Sequence, residues 1–407
     1  MIQRVIRIGG SALVMSAALA GTAMAGGYNR GSANLDGLYS DKIGAYAGVT
    51  YVAPGRSYSS VTGVTVVGGV PGGFAQGSVE FGESYAVPYA SVGGQLIDNV
   101  ACVASYAQPY GADSSYTGPI TFHIAQQSLS SDELGLTCSY RFDVGKGRFS
   151  VIGGVFNESI EYRQARNFTN AFGIVGDSRI RVTSDAWGFR VGAAFEIPEI
   201  AFKAQLLYRS QTNHNATGNY YNTPFAILAT ANGAPPALIA AYGANMTATA
   251  TTSASLPQNI ELAVQSGIAP GWLAFGSVKW TDWSVLEQIQ LVEGIANQPF
   301  STSRFFFKDG WTVTAGIGHK FTDQISGSAS ITWDRGVTTG WDTLTDVWTF
   351  AGGAAFDVNE NFQIRAGGAL LHLTSGRKTK TASAVDYTAV SPSEWGYALS
   401  ASASLKF

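Results

Sequence analysis

The sequence predicts an all-β fold, a 14-stranded antiparallel transmembrane β-barrel, on three observations. Charged residues make up only 13% of the 407-residue chain, beside 49 glycines and 12% aromatic residues. A soluble domain covers its outside with Lys and Glu, so this little charge points to a surface that is not wholly in water. No uninterrupted apolar stretch of 18 residues occurs, which leaves no transmembrane helix. In hydrocarbon every backbone N–H and C=O must be paired, so a chain that crosses without helices must close into a barrel. The third observation is hydrophobic alternation with a period of two rather than 3.6.

The first element is a leader. Arg4 and Arg7 precede an apolar run from Ser11 to Ala20, then Ala23, Met24 and Ala25 ahead of Gly26. A positive start, a short apolar run and a small-x-small step describe a secretory signal peptide over 1–25. The run is too short to cross a bilayer as a helix, so it is expected to be cleaved rather than to anchor the chain. At roughly 25 to 30 residues per strand with its connection, the remainder supplies about 13 to 15 strands, and single-chain barrels favour an even number.

Strands are expected near 43–54, 84–96, 99–109, 132–143, 148–163, 184–196, 201–213, 257–268, 272–285, 310–321, 324–335, 342–357, 361–373 and 393–407. The last shows the pattern best: Trp395, Tyr397, Leu399, Ala401, Ala403, Leu405 and Phe407 share one face, and Gly396, Ala398, Ser400, Ser402, Ser404 and Lys406 share the other. The apolar face suits lipid, and the charges, including Arg190, Lys203, Arg209, Glu261, Lys279, Asp282, Lys320 and Arg365, should line the lumen as ion-pair ladders. Tight connections such as 144–147 and 198–200 alternate with long ones such as 214–256 and 286–309, the short ones being periplasmic. The nine Trp residues gather at strand ends: Trp187, Trp280, Trp283, Trp311, Trp333, Trp341, Trp348 and Trp395 on the long-loop side, and Trp272 at a tight turn. Such rings collect at membrane interfaces. A soluble sandwich or lipocalin-like barrel is the competing fold, but it would leave the outer apolar faces uncovered.

Several function classes drop out. A net charge of −3 with scattered positive residues gives no nucleic-acid footprint. His123, His214, His319 and His372 have no metal-ligand spacing, and neither a Gly-x-Ser-x-Gly elbow nor a phosphate loop is present, so no catalytic residue, metal or cofactor is expected. An outer-membrane lipase would need a Ser and a His on adjoining strands, for which only His319 offers a hint.

Three stretches resemble the FadL family of outer-membrane long-chain fatty acid and hydrophobic-compound transporters, over most of the chain. One is Leu256-Pro257-Gln258-Asn259-Ile260-Glu261-Leu262 with the strand from Trp272 to the Trp283-Ser284 step. Another is Phe307-Lys308-Asp309-Gly310-Trp311-Thr312, and the third joins a Gly-rich start, Gly26 to Tyr39, to a terminal Phe407. The resemblance implies a monomer whose residues 26–42 form a short hatch or plug in the lumen of the barrel, 43–407. It also implies capture by outer loops, an apolar lumen pocket and passive sideways release near the third strand. A carboxylate would be met by Lys308 and Arg163, with Arg166 close by. Asn34 is followed by Leu35 where the family plug carries Asn-Pro-Ala. Phe407 resembles the signal read by the barrel-assembly machinery, and outer-membrane lipids are the surrounding partner.

Within loop 214–256, Phe225, Ile227, Leu228, Leu238 and Ile239 are apolar residues on an outward loop. They must either capture a hydrophobic molecule or pack as a lid. Cys102 and Cys138 flank a loop centred near 120, so adjacent antiparallel strands bring them opposite, either as a disulfide or as two small lipid-facing thiols. A porin-like channel for small polar solutes is the alternative function, and conductance without acyl binding would identify it.

Overall fold

Alternating segments joined by tight turns pair with their sequence neighbours, and they do so here around a closed ring. The computed structural model describes residues 27–67, 70–122, 124–169, 175–223, 233, 235–237, 240, 246–294, 298–380 and 385–407. Its barrel strands are β1 (Gly44–Ala53), β2 (Tyr85–Ile97), β3 (Val100–Ala107), β4 (Gln126–Val144), β5 (Gly147–Thr169), β6 (Val175–Ile197) and β7 (Phe202–Arg209). They continue as β8 (Asn259–Ala269), β9 (Trp272–Thr281), β10 (Gly310–Lys320), β11 (Ile325–Asp334), β12 (Val347–Asp357), β13 (Phe362–Leu373) and β14 (Glu394–Lys406). β14 pairs back onto β1, from Gly44↔Lys406 to Ala53↔Tyr397. Closure leaves no edge strand unpaired in lipid.

The two faces separate as the alternation requires. On β14, Trp395, Tyr397, Leu399 and Leu405 are exposed while Ala398 and Ser404 are buried; on β12, Trp348, Phe350 and Phe356 are exposed while Thr349, Ala351 and Ala355 are buried. Rings gather in register at the outer rim, with Trp280 opposite Trp311, Trp333 opposite Trp348 and His372 opposite Trp395. Two Trp residues depart from the expected belt. Trp283 lies in a short 3-10 turn, Trp283–Val285, and is wholly buried. Trp341 lies between β11 and β12, its ring 5.5 Å from that of Phe306.

Above the membrane the wall continues. β4, β5 and β6 run for 19, 23 and 23 residues, longer than the roughly 10 residues a span needs. Beyond β7 the chain breaks at Ser210 and Gln211 and resumes as Thr212–Thr223, which pairs with Met246–Leu256. Pro257 and Gln258 interrupt the way back into β8. Residues expected to be loop form a further four-stranded sheet, ordered Gly376–Lys380, Val385–Ser391, Ser60–Val67, Val70–Gln76. This sheet joins the first and last long connections over Tyr58, Val61, Phe81, Ile120 and Tyr387. Pairing between segments so far apart in the chain leaves no local signal in the sequence.

Candidate functional site

The site begins where the wall parts. β2 and β3 pair only from Ile97↔Val100 to Ala90↔Tyr106. Residues 85–89 of β2 then remain paired with β1, while the chain beyond β3 turns through Pro109 and resumes as Gly111–Ser115 against β4 alone. An isolated bridge, Gly82↔Ser114, rejoins the two sides further out. Pro88 and Pro109 stand on the two sides of the parting, and neither has an N–H for a ladder.

The N-terminal segment lies along the inner side of this parting. Arg30 donates its N–H to the Pro109 carbonyl at 2.8 Å, and Gly111 donates to the Tyr28 carbonyl at 2.9 Å. The Arg30 guanidinium pairs with Asp113 at 2.5 Å and covers the Tyr85 ring at 3.9 Å. Further along, the 3-10 turn Asp36–Tyr39 presses Leu38 against Val103, Ile152 and Ala194 in the lumen. Gly37 permits the close approach, because a Cβ there would meet Val103 Cγ2 at 2.8 Å and the Gly93 carbonyl at 3.0 Å. Arg141 holds the end of the segment, donating to Leu38 O at 2.8 Å, Ser40 O at 3.2 Å and Asp41 Oδ1 at 2.8 Å.

Two layers cross the barrel near its mouth. The first is apolar: Tyr28, Tyr110, Trp283, Phe305 and Phe307 form one buried cluster with Leu286, Val337 and Leu344. Tyr28 meets Trp283, Phe305 and Phe307 at centroid distances of 5.8, 6.1 and 5.7 Å. The second layer is ionic. Arg209 bridges Glu133 at 3.0 Å and Glu158 at 3.0 Å, Arg190 pairs with Glu133, and Thr212 donates to Glu158 at 2.6 Å. Two carboxylates against two guanidiniums leave no net charge here, as a fully buried network requires. Arg209 also donates to the Tyr110 hydroxyl at 3.3 Å, which ties the ionic layer to the aromatic one.

On the hydrocarbon side of the same strands a groove of about 800 Å³ runs along Ala45, Ala47, Ala90 and Ala104, between Leu134, Leu136 and Trp187 on one bank and Phe362 and Leu405 on the other. It contains Ala90 and Tyr106, the last paired residues before the wall parts. Small side chains on four neighbouring positions make the dent, since alanine leaves unfilled the depth that a Leu or Phe on the flanking strands occupies.

The residues singled out in the sequence fall into several places. Arg163 points outward: its side chain is 58% exposed and pairs with Glu161, which also holds Arg181. The expectation that it meets a ligand inside is therefore corrected, and the signal was in the alternation, because Arg163 shares the parity of lipid-facing Val151 and Val155. Arg166 lies on the other parity and donates to Ser178 at 3.1 Å. Lys308 is half-buried between Phe307 and Asp309, with its N–H on the Val337 carbonyl at 3.0 Å. Asp309 accepts from Trp280 at 3.0 Å. Phe225, Ile227, Leu228, Leu238 and Ile239 lie outside the described residues. Cys102 and Cys138 are directly opposite in register and joined as a disulfide.

His319 sits between Trp272 and Phe321 at centroid distances of 4.2 and 4.9 Å, one of the rings gathered at a strand end. His214 is buried 3.6 Å from Glu158. Of the expected lumen ladders, Arg190 and Arg209 form one, whereas Lys203 lies over the Tyr39 ring and Lys320 pairs with Asp323 at an exposed turn. The sequence reading missed Glu133, Glu158, Tyr28 and the lysines of the outer sheet. Glu133 and Glu158 share the parity of buried neighbours, which was the available signal.

A family model described as outer membrane protein transport protein (OMPP1/FadL/TodX) matches residues 10–381. Among solved structures the chain is similar to a Pseudomonas aeruginosa FadL homologue, with a TM-score of 0.76 and 17% identity over 96% of this chain and 98% of that one. It is similar to the Pseudomonas putida toluene transporter TodX, with a TM-score of 0.59 and 11% identity over 94% and 96%. A third likeness is to the CymD monoaromatic hydrocarbon channel, with a TM-score of 0.57 and 10% identity over 93% and 94%. At these identities the likeness is one of fold. No curated protein sequence matches the chain. A closed barrel with an apolar exterior, aromatic rims and a filled lumen defines a bacterial outer-membrane transport barrel. The chain belongs to the FadL/TodX family of outer-membrane transporters for hydrophobic compounds.

Proposed function

We propose that the chain lets hydrophobic molecules, long-chain fatty acids foremost, pass by diffusion from the outer mouth through the lumen and out sideways into the membrane. The observation that carries this reading is the parting of β2 from β3 beside an apolar groove on the hydrocarbon side. A molecule leaving there never crosses the periplasmic end of the lumen, which Leu38 and Arg141 occupy. Transfer from aromatic cluster to groove to lipid keeps an acyl chain out of water, where each methylene left exposed would lose about 0.8 kcal/mol. The outer loop with Phe225, Ile227, Leu228, Leu238 and Ile239 is the capture surface in this scheme, and Lys308 is a contact for a carboxylate passing Phe307. The names of TodX and CymD make an aromatic hydrocarbon the other cargo to compare.

The test is a staple across the parting. Asn29 and Tyr110 are bridged as an antiparallel pair, so Asn29→Cys with Tyr110→Cys should lock the N-terminal segment onto the turn after β3. Uptake of a labelled long-chain fatty acid by cells carrying the double variant should fall to the level of cells without the protein and rise on reduction to the level of the Tyr110→Cys single variant, with the parent unaffected by the same reductant. Unchanged uptake through the stapled barrel would remove the sideways route. Ion conductance in a planar bilayer with no fatty acid uptake would favour a porin-like channel.

A further inference from the structure

Outside the membrane, the outer sheet holds a pair of buried lysines that neither the barrel nor the lumen layers use. Lys378 and Lys380, on the strand Gly376–Lys380, are 4% and 9% exposed. Both line a cavity of about 30 Å³ together with Asp342, Tyr116, Ile120 and Phe305. The Lys378 ammonium lies 4.7 Å from the Tyr58 ring centroid, 5.9 Å from Tyr116 and 5.7 Å from Tyr387. Lys380 donates to the Arg304 carbonyl at 2.8 Å and lies 5.4 Å from the Phe305 ring. Among the described residues neither ammonium forms an ion pair; Asp342 lines the same cavity with its Oδ1 taken by the Thr343 N–H at 2.6 Å.

Two ammonium groups against one carboxylate leave one positive charge in surplus in a place largely closed to water, and buried charges are ordinarily matched. The ionic layer at the barrel mouth is matched two against two, so the surplus is particular to this cavity. Its volume suits a group of two or three heavy atoms. One wall is Phe305, which belongs to the Tyr28–Trp283–Phe307 cluster over the lumen. An anion held here would therefore have its apolar remainder directed toward the conduit.

We propose that Lys378 and Lys380 form an outer headgroup site, which takes the carboxylate of an amphiphile whose tail lies along Phe305 toward the aromatic cluster. This rests on the reading of the barrel as a conduit for hydrophobic molecules and narrows its substrate class to carboxylic acids rather than plain hydrocarbons. The site matches the ligand's single negative charge to the surplus cation, and the tyrosine rings hold Lys378 in place before the ligand arrives.

The experiment compares purified full-length barrels in detergent for binding of a fluorescent long-chain carboxylate, its methyl ester and benzoate. The parent should prefer the acid over the ester by at least about tenfold, since charge-assisted hydrogen bonds to one headgroup are worth that much. Lys378→Met with Lys380→Met should abolish the preference and bind the ester as the parent does, which also shows that the barrel is folded. Lys378→Arg with Lys380→Arg should keep it. Benzoate binding as tight as that of the long acid would show that the tail contributes nothing and would overturn the amphiphile. An acid preference that survives in the double Met variant, or a parent with no preference, would overturn the site while leaving the conduit standing. If the parent binds neither acid nor ester, conduit and site fail together.

Discussion

Lys380 shows how one residue's surroundings become a measurable behaviour. Burial among apolar and aromatic side chains lowers its pKa from 10.5 to about 8, against the opposing pull of Asp342 and with a further push from Lys378. Its other cavity neighbours that titrate, Tyr116 and Tyr387, have pKa values raised by burial and stay neutral across this range. A lysine whose folded pKa lies below its unfolded one weakens the fold while it is charged. That penalty is complete below about pH 8 and is relieved as pH rises from about 8 toward 10.5, where only the unfolded chain keeps the proton. Carboxylate binding runs the other way, because the bound anion needs the ammonium. Affinity for the long-chain acid should be flat below about pH 8 and then decline, approaching one proton taken up per acid bound. Ester affinity should not follow. Titrations of acid and ester over that range check it, and parallel curves would refute it.

At the scale of elements, the N-terminal segment is held by few contacts that can be removed singly. Its turn Asp36–Tyr39 touches the backbone of β2 only because residue 37 is glycine. Its far end depends on three hydrogen bonds from buried Arg141. Hydrogen bonds involving a charged group contribute about 1.5–3 kcal/mol each. Gly37→Val and Arg141→Ala should each loosen the segment without unfolding the wall, whose ladders run on either side. Single-barrel recordings should then show more frequent ion-conducting openings than the parent, together with faster proteolysis near residue 37. A conductance trace indistinguishable from the parent's would mean that the segment does not fill the lumen in the membrane.

At the scale of the whole molecule, closure and outward apolarity make the barrel depend on lipid rather than on a central core. Leu399 stands on the lipid face of β14 next to the seam with β1, opposite Tyr51. Leu399→Arg should destabilise the folded barrel in lipid vesicles by about 2–4 kcal/mol, the range for a basic residue facing the bilayer midplane. The same change should matter much less in detergent micelles, which deform to hydrate a charge. Equal losses in the two media would argue against a lipid-facing position.

Much of this architecture was written locally. All fourteen barrel strands could be placed from alternation and turn residues alone, because each strand needs only a period of two and a neighbour next in sequence. The opposition of Cys102 and Cys138 followed from the same rule, and the wrong side assigned to Arg163 came from following a family role over the parity of its own strand. What the sequence could not announce are groups assembled from distant strands. Tyr28 meets Trp283, Arg209 bridges Glu133 to Glu158, and Lys378 meets Tyr58, only once the ring has closed. The sequence by itself determined the barrel, its strand number and which faces meet lipid, since these depend on neighbours in the chain. Only the tertiary structure decided what fills the mouth, where the wall parts and where positive charge is left over, because burial and charge balance depend on all strands at once.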